Sequence, residues 1–179
     1  MAKLNRVNQK GFTIVELVVV IIILGILAAT ALPRFIDVSD DAHLATVEAT
    51  KGALIAGHGN WRALWIVEGQ PLTTSSDGQT QYFNASGHIV GTTGGDAALA
   101  AADCDEIFTD LLGSNASAIN ATEVANLAAA QAAYDGTSDW YAGSGGTTVS
   151  CDYYYVGAGG AVTGKTLTYT VATGAITGP

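Results

Sequence analysis

Residues 11–35 read GFTIVELVVVIIILGILAATALPRF, and this stretch decides the fold. From Phe12 to Leu32 the run carries a single charge, Glu16. As a helix rising 1.5 Å per residue it spans about 31 Å, the thickness of a bilayer core. Lys3, Arg6 and Lys10 precede it, which predicts a cytoplasmic start and a body beyond Arg34 on the far side of the membrane. An ordinary signal peptide fits badly, because Pro33, Arg34 and Phe35 stand where a small-x-small cleavage site would follow. A plain single-pass anchor fits better but leaves Glu16 unexplained.

A carboxylate inside an apolar span costs about 2.5–3.5 kcal/mol at mid-bilayer, and less near an end. Glu16 therefore wants a cationic partner, and the nearest basic side chains are Lys10 and Arg34. A cut between Gly11 and Phe12 would create an α-amino group four residues from Glu16. That amine could pair with Glu16 of its own helix or with Glu16 of a neighbouring chain. The residues alone leave both open.

Gly11 followed by FTIVELVVVIIILGILAATALPRF resembles the processing site and N-terminal helix of type IV prepilins. The resemblance covers the glycine before Phe12, the glutamate five residues into the mature chain, and the later Gly25 and Pro33. It implies a leader at residues 1–11, cleavage after Gly11 by a prepilin peptidase, N-methylation of Phe12 and packing of the helix in a filament core. It also implies contact between Glu16 and the Phe12 amine of an adjacent subunit. Independently, a bundle of identical helices would give an apolar helix leaving lipid another dry environment. Gly25 and Ala29 offer close helix approach, while Gly25 and Pro33 are weak points where the family's filaments loosen.

The charge is uneven. The net charge is -9, yet three of the seven Lys/Arg lie in the first ten residues and all sixteen Asp/Glu lie after them. Such an acidic body repels phosphate backbones, so no nucleic acid partner is expected. Cys104 and Cys151 form an even pair beyond a membrane segment, which suits a disulfide in an oxidising compartment. Two reduced, buried thiols are the alternative.

From Arg34 to Val67 the pattern stays helical and turns amphipathic, with Phe35, Val38, Ala42, Ala45, Ala49, Ala53, Ala56 and Ala63 every three or four residues. This predicts one helix over 12–66, of which 12–32 is the membrane or filament-core part, with a sheet or loop close on its alanine stripe. Residues 67–179 form the head. Strand-like pieces stand at Gln81–Phe83 and His88–Val90, and a helix follows with Asp96 as N-cap and Gly113 as stop. A second short helix is expected at Asn120, with Glu123 completing a capping box. SCDYYYVG, KTLTYTVA and AIT then predict an antiparallel sheet of three or four strands. The fold class is thus α+β: a long N-terminal helix packed on an antiparallel sheet head, the architecture the pilin resemblance implies.

A looser resemblance, through LPRF before DVSDDA, the ADC helix, CDYYY and the closing TYT hairpin, is to the mannose-sensitive haemagglutinin subgroup. It implies that residues 104–151 are the disulfide-bounded region exposed on the filament surface.

Few residues suggest other chemistry. His43, His58 and His88 are scattered and read as solvated or capping side chains. Asp103, Asp105 and Glu106 read as a solvated helix face, with calcium near Asp135, Asp139 or Asp152 a minor alternative. Tyr153, Tyr154 and Tyr155 in one strand read as core packing on both faces, and the sequons at Asn84, Asn115 and Asn120 as chance. Gly157–Gly160 reads as a turn rather than a phosphate loop, and Gly143-Ser144-Gly145 lacks the spacing of a nucleophile elbow. No metal, cofactor or catalytic constellation is expected. The chain therefore reads as a structural subunit polymerising with identical subunits into a surface filament for attachment and biofilm formation. Prepilin peptidase, the assembly machinery, the inner membrane and a host or abiotic surface receptor are its expected partners. A type II secretion pseudopilin is the alternative, and a membrane-tethered enzyme a remote third.

Overall fold

A computed structural model describes residues 11–76, 78–91, 99, 101–113, 119–120, 122–144, 150–157 and 165–179, without the side chains of 32–37, 101 and 102. Several expectations fall outside these residues: the basic leader side chains, the Asp96 cap, the Asn115 sequon and the turn after Gly157. The chain forms two units, one ending at Asp41 and a head over Ala42–Pro179.

Helix α1 is assigned to Ile14–Val67, 54 residues, close to the expected bounds. Within the head it buries Val47, Leu54, His58, Trp61 and Trp65, a single stripe at spacings of seven, four, three and four. The predicted stripe is corrected here. Val38, Ala42, Ala45, Ala49, Ala53, Ala56 and Ala63 are all exposed. Both sets have helical periodicity, and the one carrying two indoles wins, because each buries roughly 150–250 Å² against a few tens for a methyl.

Beyond α1 lies a three-stranded antiparallel sheet of β1 (Thr73–Ser76), β2 (Gln79–Phe83) and β3 (Ile89–Gly91), of which β1 was not predicted. Helix α2 runs over Ala101–Leu112 and stops at Gly113, whose φ of 64° is the left-handed cap that glycine adopts without penalty. The main sheet has five strands, β4 (Ile119–Asn120), β5 (Trp140–Ser144), β6 (Ser150–Tyr155), β7 (Thr166–Thr170) and β8 (Ala175–Thr177), in sequential order. Its last four are antiparallel, as expected for the three predicted ones, while β4 pairs parallel with β5.

The second short helix is also a correction. α3 covers Leu127–Ala132, and its N-cap is Asn126, whose side chain accepts from the Ala129 amide at 2.9 Å. Asn120 instead lies in β4, where its Oδ1 accepts the Thr122 amide and its amide nitrogen donates to Asp135. An asparagine with both ends of its side chain engaged elsewhere is not free to start a helix.

The strand period of two sorts the tyrosine run onto opposite faces. Tyr153 and Tyr155 join the main core with Trp140, Phe108 and Ile107, and Tyr154 joins a second cluster with Tyr141, Val124 and Ala130. Phe108 of α2 sits between Tyr153 and Trp140, at centroid distances of 4.8 and 5.4 Å. The Cys104–Cys151 disulfide fastens α2 to β6, with Cα atoms 5.4 Å apart. Bridging 47 positions contributes about 4 kcal/mol in the chain-entropy account. Tyr169 of β7 ties the two sheets by donating its hydroxyl to the Ile89 carbonyl at 2.7 Å.

Candidate assembly segment and the head

The N-terminal unit exposes its greasiest part. The window Ile14–Ala31 has a mean hydropathy of 2.9 and none of it is buried, so this one helix is long and apolar enough to cross a membrane. Phe12 is 92% exposed, and the large apolar side chains as far as Leu27 stay open. A Cβ placed on Gly25 would meet nothing within 4 Å, leaving that helix face clear for a close neighbour. The backbone is helical through Pro33, although a proline there leaves the carbonyl four residues back without its amide. Just upstream, the Thr30 hydroxyl donates to the Leu27 carbonyl at 3.0 Å, a local bond that competes with the helix ladder.

Glu16 has a partner that neither sequence reading named. Thr13 and Glu16 make a capping box. The Thr13 amide and hydroxyl both donate to Glu16 Oε2, at 2.9 and 2.8 Å, and the Glu16 amide donates back to the Thr13 hydroxyl at 3.2 Å. Among the described residues Oε1 accepts nothing, so half of the carboxylate stays open to a further donor. The signal was legible as Thr-x-x-Glu opening an apolar run, and was overshadowed by the charge argument. Gly11 and Phe12 precede the helix and are exposed.

In the head, two of the three histidines are brought together rather than scattered. His58 of α1 and His88 beside β3 are each only 8% exposed, which corrects the solvated reading. Their rings stack, and Arg62 lies 3.5 Å from His88 Nδ1. Burial, then the charges of His88 and Arg62, push the His58 pKa down from its usual 6.5 to about 4. His88 is lowered by burial and Arg62. His43 is half-buried, with Nδ1 3.0 Å from the Tyr155 hydroxyl.

The acidic residues of α2 divide. Asp103 is buried, against the solvated-face expectation, and packs beside Gly91, while Asp105 is half-buried and Glu106 exposed. Burial raises the Asp105 carboxyl above its ordinary range. Asp135 is held well below that range by the amides of Ser138 and Thr137, and Asp152 accepts the Thr168 hydroxyl at 2.7 Å. Among the described residues, no three His, Cys, Asp or Glu stand where they could share a metal ion. The Asn84 sequon is engaged too: its amide donates to the Val171 carbonyl and its oxygen accepts from the Ser86 and His88 amides.

A family model described as the prokaryotic N-terminal methylation motif matches residues 6–32. The Type IV narrow pilus major component PilA5 of Thermus thermophilus is 53% identical over 47 residues, 26% of this chain and 40% of that protein. The Type IV major pilin protein PilE1 of Neisseria gonorrhoeae is 43% identical over 60 residues, 30% of this chain and 36% of that one. The Type IV major fimbrial protein FimA of Dichelobacter nodosus is 35% identical over 72 residues, covering 40% of this chain and 42% of its own. The chain thus spans about two-fifths of the length of the curated relatives it matches. No solved structure matches. By their names these relatives are pilus, pilin and fimbrial proteins. Through its N-terminal methylation motif, borne on a long helix that is followed by an antiparallel sheet head, the chain is similar to the type IV pilins over its N-terminal part.

Proposed function

We propose that this chain is a structural subunit of a type IV pilus, cut after Gly11, methylated at Phe12 and polymerised through α1. One observation carries the reading: the apolar side chains from Phe12 to Leu27 are exposed on the methylation-motif helix. An apolar surface of that extent needs lipid or other copies of itself to cover it. Before assembly lipid covers it, with the head on the periplasmic side of the inner membrane; afterwards neighbouring helices do. The free Oε1 of Glu16 accepts the Phe12 amine of an adjacent subunit, neutralising a charge that would otherwise sit in the dry core. Gly25 and Pro33 bracket a stretch that loosens when the helices pack. The filament serves attachment to surfaces and biofilm formation, in the manner of the mannose-sensitive haemagglutinin pilins.

Glu16→Ala tests the assembly step. Filament yield from sheared cells should fall by an order of magnitude or more, while the membrane pool keeps a disulfide-closed head. Normal filament yield from that variant would reject the role given to Glu16.

A further inference from the structure

The C-terminal end of α2 closes one side of a cavity of about 330 Å³ within the head. Trp61 and Leu64 of α1 and Leu112 of α2 supply apolar wall, and Asn60, Gln79 and Asp110 supply polar groups. Among the described residues, Asp110 is the only ionisable one lining it. Its two carboxylate oxygens each accept an amide N–H, one from Gln79 and one from Gln81 of β2. The Gln81 side chain is fully buried, and its carbonyl oxygen has no hydrogen-bond partner among the described residues.

The electrostatics of the cavity have one sign. Helix α2 ends at Leu112, and the last carbonyls of a helix carry roughly half a negative charge. Leu111 and Leu112 of that last turn line the space next to Asp110. No cation is paired with this acid among the described residues, and its carboxyl is raised above its ordinary range by burial, with Glu106 adding to the effect. A negative helix end, a partly buried carboxylate and an indole together favour a positive charge on an apolar stem.

We propose that this cavity binds an alkylammonium group, with the ammonium at Asp110 and the stem against Trp61 and Leu64. An anion would meet the carboxylate and the helix end, so it is disfavoured. Among the described residues, a bare metal ion would find no set of three metal ligands. The same chemistry is offered by a free aliphatic amine and by the end of a lysine side chain. This inference is independent of how the subunit assembles.

The test uses the full chain in detergent micelles, titrated with n-butylammonium, with neutral 1-butanol and with N-acetyl-lysine-methylamide, and followed by saturable change in tryptophan fluorescence. n-Butylammonium should saturate, and 1-butanol should bind at least about tenfold more weakly, as expected for loss of a charge-assisted contact. Asp110→Asn should weaken the ammonium by a similar factor while its melting curve still shows a folded head. Binding of the lysine derivative within a few-fold of the free amine assigns the site to a protein lysine. Loss of that binding assigns it to free amines. Equal binding of alcohol and ammonium, or no saturation, overturns the proposal using the wild type alone, whatever the variant does.

Discussion

The imidazoles of His58 and His88 stack with centroids 5.4 Å apart and planes 18° from parallel. Tyr169 of β7 lies against His58, at 5.8 Å between ring centroids. Gly174 of the β7–β8 turn, at a φ of 67°, lies so near both rings that a Cβ there would strike His88 Nδ1 and then the His58 ring. The closing hairpin is therefore seated on two histidines that share their surroundings with Arg62, and both must be neutral to stay there.

This arrangement makes head stability depend on pH with a definite sign. The folded pKa of His58 lies near 4 against 6.5, so between these values the unfolded chain binds the extra proton. The stabilisation is complete above pH 6.5 and is lost as pH falls toward 4. After allowance for partial solvent screening it amounts to about 2 kcal/mol. Thermal melts of the full chain in detergent should show the head transition falling over that window. His58→Phe, which keeps the stacking surface, should flatten the fall. An unchanged pH profile in that variant would remove the histidine pair as its cause.

Three glycines of α1 are predicted to behave in opposite ways. A Cβ on Gly57 would run into the Leu111 carbonyl, so α2 approaches α1 through that missing side chain. Gly57→Ala should destabilise the head by about 1–3 kcal/mol, the cost of forcing packed elements apart. Gly52 and Gly59 have nothing within 4 Å of the same position. Alanine at either should stabilise by up to about 1 kcal/mol through helix propensity. Denaturant midpoints of the three variants check this, and a shared sign would contradict the packing account.

Helix α1 is continuous over Gly25 and Pro33 in the single chain. In the filament we expect this stretch to lose helical hydrogen bonds, because Pro33 already lacks its donor and Gly25 adds backbone freedom. A filament map at side-chain resolution decides it. Continuous helical density from Phe12 through Phe35 would refute the loosening.

Much of the architecture was legible because each signal had one reading. The apolar run fixed α1, Gly113 fixed the end of α2, and the aromatic and β-branched runs at Tyr153–Tyr155 and Thr166–Thr170 fixed β6 and β7. The misses have physical reasons. Strand β1 is TTSS and β5 is WYAGS, neither showing apolar alternation, so neighbours rather than their own composition hold them in the sheets. The buried stripe of α1 was placed on the wrong phase because alanines fill the exposed faces with the same period. In the candidate site, Gly11, Phe12 and Glu16 stood out by charge and spacing. The His58–His88 pair did not, since only the folding of β3 against α1 brings residues thirty positions apart together.

The most direct measurement is intact-mass and fragment spectrometry of the subunit recovered from sheared surface fibres. The account predicts a chain that starts at Phe12 with one added methyl on its α-nitrogen and keeps Cys104 joined to Cys151. A fibre subunit that retained Met1–Gly11, or this chain found solely as an unprocessed membrane monomer, would contradict it.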